Sequence, residues 1–123
     1  MSTWKSNLKS EEVNRKKYII LEDLVLEDDE FGEIIVPQGF VTDYASVSVL
    51  QHLIFSPIFV LVADYGDKAS TVHDYLYTQT KLSRKECDQV LYRALLAEGL
   101  EVWRAKLFYW GVRVGGGSHF GTN

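Results

Sequence analysis

Three residues in the second half of the chain have the types and spacing for acid–base chemistry: His73, Asp74 and Asp88. His73 and Asp74 are neighbours in Val72-His73-Asp74-Tyr75-Leu76-Tyr77, a stretch of helical character, so their side chains point about 100° apart. They cannot be two ligands of one metal on one helical face. Asp88 lies on the next helical stretch, near the edge of its apolar stripe and in line with Leu91, Tyr92 and Leu95. The short connection at residues 78–82 makes the two helices antiparallel neighbours, which lets His73 and Asp88 face each other. A carboxylate on one imidazole nitrogen fixes the tautomer and stabilises the imidazolium, and the other nitrogen can then take a proton from water. His73 and Asp88 are therefore the candidate catalytic pair. Asp74 points elsewhere and is left to hold a cation, calcium before other divalent ions, because calcium favours carboxylate and carbonyl oxygens. The competing reading is structural. His73 is then a buried histidine satisfied by Asp88 and a backbone carbonyl, and Tyr75 and Tyr77 are core aromatics with bonded hydroxyls.

A second group of suspects is Gly39-Phe40-Val41-Thr42-Asp43-Tyr44-Ala45-Ser46-Val47. Thr42, Asp43 and Ser46 are small polar residues beside a glycine turn, able to give a site a carboxylate, hydroxyls and carbonyls. Together with Tyr77 they make the expected substrate side of the site, and Asp43 joins Asp74 as a candidate metal ligand. The alternative is a loop whose side chains bond to its own backbone. Cys87, on an apolar helix face, reads as an inert core thiol. His52 and His119 lack recognisable partners. The glycines at 115–117 follow a helix instead of opening one, which makes a poor phosphate cradle.

The elements that must position these residues fall in a strands-then-helices order, the pattern of an α+β fold. Residues 1–15 are polar and predict an irregular arm, with Trp4 as an anchor. Residues 18–27 predict a strand with Leu24 and Leu26 on one face. The acidic run 27–30 and Gly32 mark a turn, and residues 33–36 predict a second strand stopped by Pro37, so the pair makes a hairpin. Residues 37–40 are a turn, 41–48 a connector of open structure, 49–63 an apolar segment broken at Pro57, and 64–67 another turn. A helix is expected over 68–78. Ser83 and Glu86 form a capping box for a second, which runs to about Glu98 and buries Cys87, Val90, Leu91, Ala94 and Leu95. A third, over 101–114, is apolar almost all round, which makes it central to the core or an assembly interface. The expectation is one domain: an arm at 1–15, a core at 16–114 with an N-terminal hairpin or small antiparallel sheet on about three helices, and a Gly-rich tail at 115–123.

Size and composition agree with a globular protein. The 123 residues fit one domain. They are 46% hydrophobic and 24% charged, which argues against disorder. A single cysteine allows no internal disulfide and points to a reducing compartment. The N-terminus has no apolar h-region, so no secretory signal is expected, and no apolar run reaches the about 20 residues of a membrane span. Net charge is −4 and the basic residues form no stripe, which disfavours nucleic-acid binding.

The order of these motifs is also familiar. Residues 37–47, then His73-Asp74-Tyr75-Leu76-Tyr77, then Asp88 in a helix and Trp103-Arg104-Ala105 in the next, resemble a phage and prophage family, domain of unknown function 1353, over about residues 18–114. Ser48 stands where the family usually has proline after Ala-Ser-Val. The resemblance implies phage origin, hence a location in the host cytoplasm or the virion, and it implies no particular activity. A more local likeness concerns chemistry. His-Asp-x-x-Tyr on one helix with Asp on its antiparallel neighbour looks like the helix pair of phospholipase A2 enzymes. The likeness implies His73 as base, Asp74 as calcium ligand and Asp88 as the acid that supports His73. The cysteines and glycine-rich calcium loop of those enzymes are absent. Two functions are thus expected: a His/Asp hydrolase acting on lipid or another cell-envelope ester, or a non-enzymatic virion or assembly component. In the second, the apolar helix at 101–114 meets other phage proteins or another copy.

Overall fold

Every second residue of Leu24–Asp28 and Gly32–Val36 turns inward, and this two-residue period builds the first sheet. A computed structural model describes residues 2–14, 17–42 and 67–115. Asp43, Ser46, His52, the apolar segment at 49–63, the turn at 64–66, His119 and the tail from 116 lie outside the described residues. Six strands are described: β1 Thr3–Trp4, β2 Ser10–Asn14, β3 Lys17–Ile20, β4 Leu24–Asp28, β5 Gly32–Val36 and β6 Val41–Thr42. Three helices follow: α1 Asp67–Gln79, α2 Arg84–Ala97 and α3 Val102–Gly115. The α+β expectation of a small antiparallel sheet followed by three helices holds, with two three-stranded antiparallel sheets in place of one hairpin.

In the first sheet the order is β1-β4-β5, and the register sets Leu24 opposite Val36 and Leu26 opposite Ile34. Those four side chains share the buried face. Gly32 closes the hairpin at φ +75°, a left-handed value open to glycine. The second sheet runs β2-β3-β6, pairing Tyr18 with Thr42 and Ile19 with Val41. One expected strand over 18–27 is therefore two. The chain breaks at residues 21–23, where Leu21 donates its amide to the Lys9 carbonyl and Asp23 accepts from the Gln38 amide. The N-terminal arm is not irregular either. Its residues pair as β1 on β4 and β2 on β3, and ladder hydrogen bonds to buried strands outweigh their polar composition. Trp4 is the expected anchor: its indole N–H donates to the Ala94 carbonyl at 3.2 Å.

The helices keep their predicted bounds within a residue or two. Ser83 and Glu86 make both arms of the capping box, and the chain leaves α2 at Gly99, φ +95°. The α2 stripe Cys87, Val90, Leu91, Ala94 and Leu95 is wholly buried. Glu98 reaches back to accept the Ala69 amide at 2.9 Å, so a carboxylate satisfies an orphan donor in the first turn of α1. α1 packs on α2 and against β5 and β6, while α2 packs on α3 and against β1 and β4. α2 is thus the central strut. α3 buries Ala105, Phe108 and Val112 and exposes Val102, Trp103, Trp110 and Val114, so it belongs to the core on one side only. No helix among the described residues is long and apolar enough to cross a membrane.

Candidate active site

The helical offset of His73 and Asp74 sends them to different partners. His73 turns inward to α2, and its Nε2 lies 2.6 Å from Asp88 Oδ1. Tyr77, one turn on from His73, donates its hydroxyl to the same oxygen. The two rings on α1 pack with centroids 4.1 Å apart. Asp88 Oδ2 accepts from Arg113 Nη1 of α3 at 2.9 Å. One carboxylate on the central helix therefore gathers an imidazole and a phenol from α1 and a guanidinium from α3. His73 is 2% exposed and Asp88 is fully buried.

Burial alone raises the Asp88 pKa. The hydrogen bonds from His73 and Tyr77, the charge of His73 and the bond from Arg113 outweigh it, and the carboxyl is held below its ordinary range. Burial, then the hydrogen bond to Asp88 and its negative charge, push Tyr77 far above the usual phenol range, so it stays a neutral donor. Cys87, next to Asp88, is pushed up to about 12, by burial first and then by the charges of Asp88 and Glu86. It is fully buried, as an inert core thiol should be.

Asp74 faces the other way. Its Oδ2 accepts the hydroxyl of Thr42, which β6 presents from the second sheet, and Phe40 sets its ring edge-to-face on Tyr75 at 5.4 Å. The loop and α1 are thus joined at Thr42–Asp74 and Phe40–Tyr75. Among the described residues no group of three or more His, Cys, Asp or Glu side chains is placed to hold a metal ion.

Of the residues singled out from sequence, the structure gathers His73, Tyr77 and Asp88 in one network and Thr42 with Asp74 beside it. Asp43 and Ser46 lie outside the described residues. Sequence reasoning missed Arg113 and its neighbour Arg84. Arg84 donates to the Val112 carbonyl at 3.2 Å and also to the Arg113 carbonyl, closing the end of α3. The signal was present: an arginine in a helix apolar almost all round needs a buried acid to receive it.

The sequence model of a family described as "Protein of unknown function (DUF1353)" matches residues 18–112. The chain belongs to that family. The matched span holds β3 to β6 and nearly all of the three helices, including every member of the Asp88 network short of Arg113. No curated protein and no solved structure matches the chain.

Proposed function

We propose that this DUF1353 protein is a phage-encoded hydrolase in which His73, oriented by Asp88, activates water against a carboxylic ester of lipid or another cell-envelope component. The observation that carries the reading is the 2.6 Å contact of His73 Nε2 with Asp88 Oδ1. It commits Nε2 to the carboxylate, and the reading assigns the proton transfer to Nδ1. Water loses a proton to Nδ1, its oxygen adds to the ester carbonyl, and the tetrahedral adduct collapses as the imidazolium returns the proton to the departing alkoxide. Asp88 stays ionised throughout, holds the tautomer and balances the imidazolium. Tyr77 and Arg113 keep that carboxylate in place. The likeness to the phospholipase A2 helix pair supports the same roles, and in this chain Tyr77, the tyrosine of the shared His-Asp-x-x-Tyr spacing, bonds to Asp88. By that likeness Asp74 would hold a calcium ion, with Asp43 of the 39–47 loop as a second candidate ligand, and the ion would supply positive charge to the ester carbonyl oxygen. Phage origin rests on the order of motifs shared with a phage and prophage family, and it implies action in the host cytoplasm or as part of the virion.

The test uses short-chain phospholipid and nitrophenyl ester substrates, with calcium and with a chelator. Cleavage falls by roughly 10²–10⁴-fold in His73→Gln, the range of a lost general base. Nitrogen-15 NMR of His73 finds the proton of the neutral imidazole on Nε2, facing Asp88. A neutral imidazole with its proton on Nδ1, or full activity in His73→Gln, removes the reading.

A second reading is favoured by a different observation: the imidazole is 2% exposed and Asp88 is sealed. On that reading the network is a brace in a non-enzymatic virion or assembly component, and the exposed face of α3 meets other phage proteins or another copy. It expects no ester cleavage and a loss of stability in His73→Gln as the only effect.

A further inference from the structure

The side of the molecule where α2, α3 and the β4–β5 turn meet carries an open cleft of about 500 Å³, lined by no member of the His73–Asp88 network. That volume is in the range of small-molecule sites, roughly 300–1,000 Å³. One wall is aromatic. Tyr92 of α2 sets its ring edge-to-face on Tyr109 of α3 at 6.2 Å, and Tyr109 does the same to Trp110 at 5.3 Å. Trp110 is 62% exposed although it sits on a well-packed helix, so a large indole surface is offered at the cleft.

The other wall is polar and fixed in advance. Arg93 presents its guanidinium from a side chain that is only 21% exposed and is clamped from behind. Its Nε and Nη2 donate to the two oxygens of Asp28 at 2.9 and 3.0 Å, and Asp28 is itself held by Ser2 and the Glu30 and Phe31 amides. Arg93 Nη1 lies 3.5 Å from Glu30. A guanidinium carries five N–H donors, so the clamp leaves donors over. Gln89 and Lys106 complete the polar lining.

Charge decides what fits. Arg93 and Lys106 bring two positive charges and Asp28 and Glu30 two negative ones, so the cleft is balanced overall, with Lys106, which forms no ion pair among the described residues, and the exposed Glu30 carboxylate both open to it. A phosphate or carboxylate ligand would meet Glu30. A cationic ligand would meet Arg93 and Lys106. A neutral ligand rich in hydroxyls meets neither penalty. Sugar rings have that chemistry: a flat C–H face for an aromatic side chain, and adjacent hydroxyls for planar two-atom groups such as the Gln89 amide, the Glu30 carboxylate and the Arg93 guanidinium. We propose that the cleft between α2, α3 and the β4–β5 turn is a binding site for a neutral saccharide, with Trp110 as its stacking platform and Arg93 and Gln89 as its orienting donors. The site is independent of the hydrolytic reading and serves a carrier of either kind.

The experiment titrates the full chain with cellotetraose, chitotetraose and maltotetraose, followed by the Trp110 indole NMR signal and by calorimetry. Inorganic phosphate and phosphatidylglycerol vesicles are run beside them. At least one tetrasaccharide binds saturably at about 1 mM or tighter and shifts the Trp110 signal. Trp110→Ala weakens it at least tenfold, Gln89→Ala weakens it by a smaller factor, and Trp103→Ala, on the exposed face of α3 outside the cleft lining, leaves it unchanged. No binding by any of the three sugars overturns the proposal. So does binding that survives Trp110→Ala, or phosphate or vesicles taking the site in their place.

Discussion

Replacing Asp88 by asparagine keeps the shape of the central side chain and removes its charge, so the result isolates what the carboxylate does. Three groups converge on it: His73 and Tyr77 on Oδ1 and Arg113 on Oδ2. An amide has one accepting oxygen. Whichever way it turns, an NH₂ faces either Arg113, which cannot accept, or the His73–Tyr77 pair. Breaking a buried ion pair by removing one partner costs about 3–5 kcal/mol. The amide retains one accepting oxygen, and Arg113, with its side chain 26% exposed, can regain water, so the loss belongs at about 2–3 kcal/mol. That is a large share of a domain's roughly 5–15 kcal/mol. In urea the midpoint falls by roughly 1–2 M with an unchanged slope. The pH dependence has a sign. Asp88 has a folded pKa below its unfolded one, so its contribution is present above the ordinary carboxylate value of about 4 and is lost as pH falls through the folded value. The gap between wild type and Asp88→Asn is widest near neutrality and closes in acid. A gap below about 0.5 kcal/mol at pH 7, the size of a neutral surface change, would refute the reasoning, as would one that stays constant down to pH 2.

Two further substitutions follow from the same geometry. In Arg93→Lys a point charge replaces the fork that grips both Asp28 oxygens, so thermal unfolding should come about 6–10 °C lower, matching roughly 2 kcal/mol. An unchanged melting temperature would mean that the backbone amides at 30 and 31 hold Asp28 without help. Thr80, a β-branched residue, sits at φ +52° just past the end of α1, where it costs of order 1 kcal/mol or more. Thr80→Gly should raise stability by about 0.5–1 kcal/mol by denaturant titration, and a destabilised variant would show that the threonine side chain contributes more than its backbone costs.

What the sequence revealed and what it hid divide along a physical line. Local signals survived contact with the structure. The α2 stripe, the Ser83–Glu86 box, the Pro37 stop and the Gly99 exit each depend on a few neighbouring residues, and all are present. The facing of His73 and Asp88 was legible too, because a short connection between two helices leaves few ways to place them. Long-range strand pairing was not. Polar residues 10–14 become β2 because β3 offers them a ladder, and nothing in their own composition says so. The arginines were missed for the same reason. Arg93 meets Asp28 across 65 residues of chain, and Arg113 meets Asp88 across 25. An ion pair of that span shows in sequence only as a charge on an otherwise apolar face.

The two arginine–aspartate pairs also fix how independent the two proposed sites are. Both hang on α2, five positions apart, which turns them about 140° from each other around the helix axis. Asp88 draws α1 and the end of α3 inward, while Arg93 grips the β4–β5 turn and, through Asp28, the Ser2 side chain. A change at one pair reaches the other only by rotating α2, and the stripe Cys87, Val90, Leu91, Ala94 and Leu95, fully buried between them, resists that rotation. Stability losses from Asp88→Asn and Arg93→Lys should therefore add to within about 0.5 kcal/mol in the double variant, as for sites with no shared partner. Sugar binding should survive Asp88→Asn unless the whole helix turns.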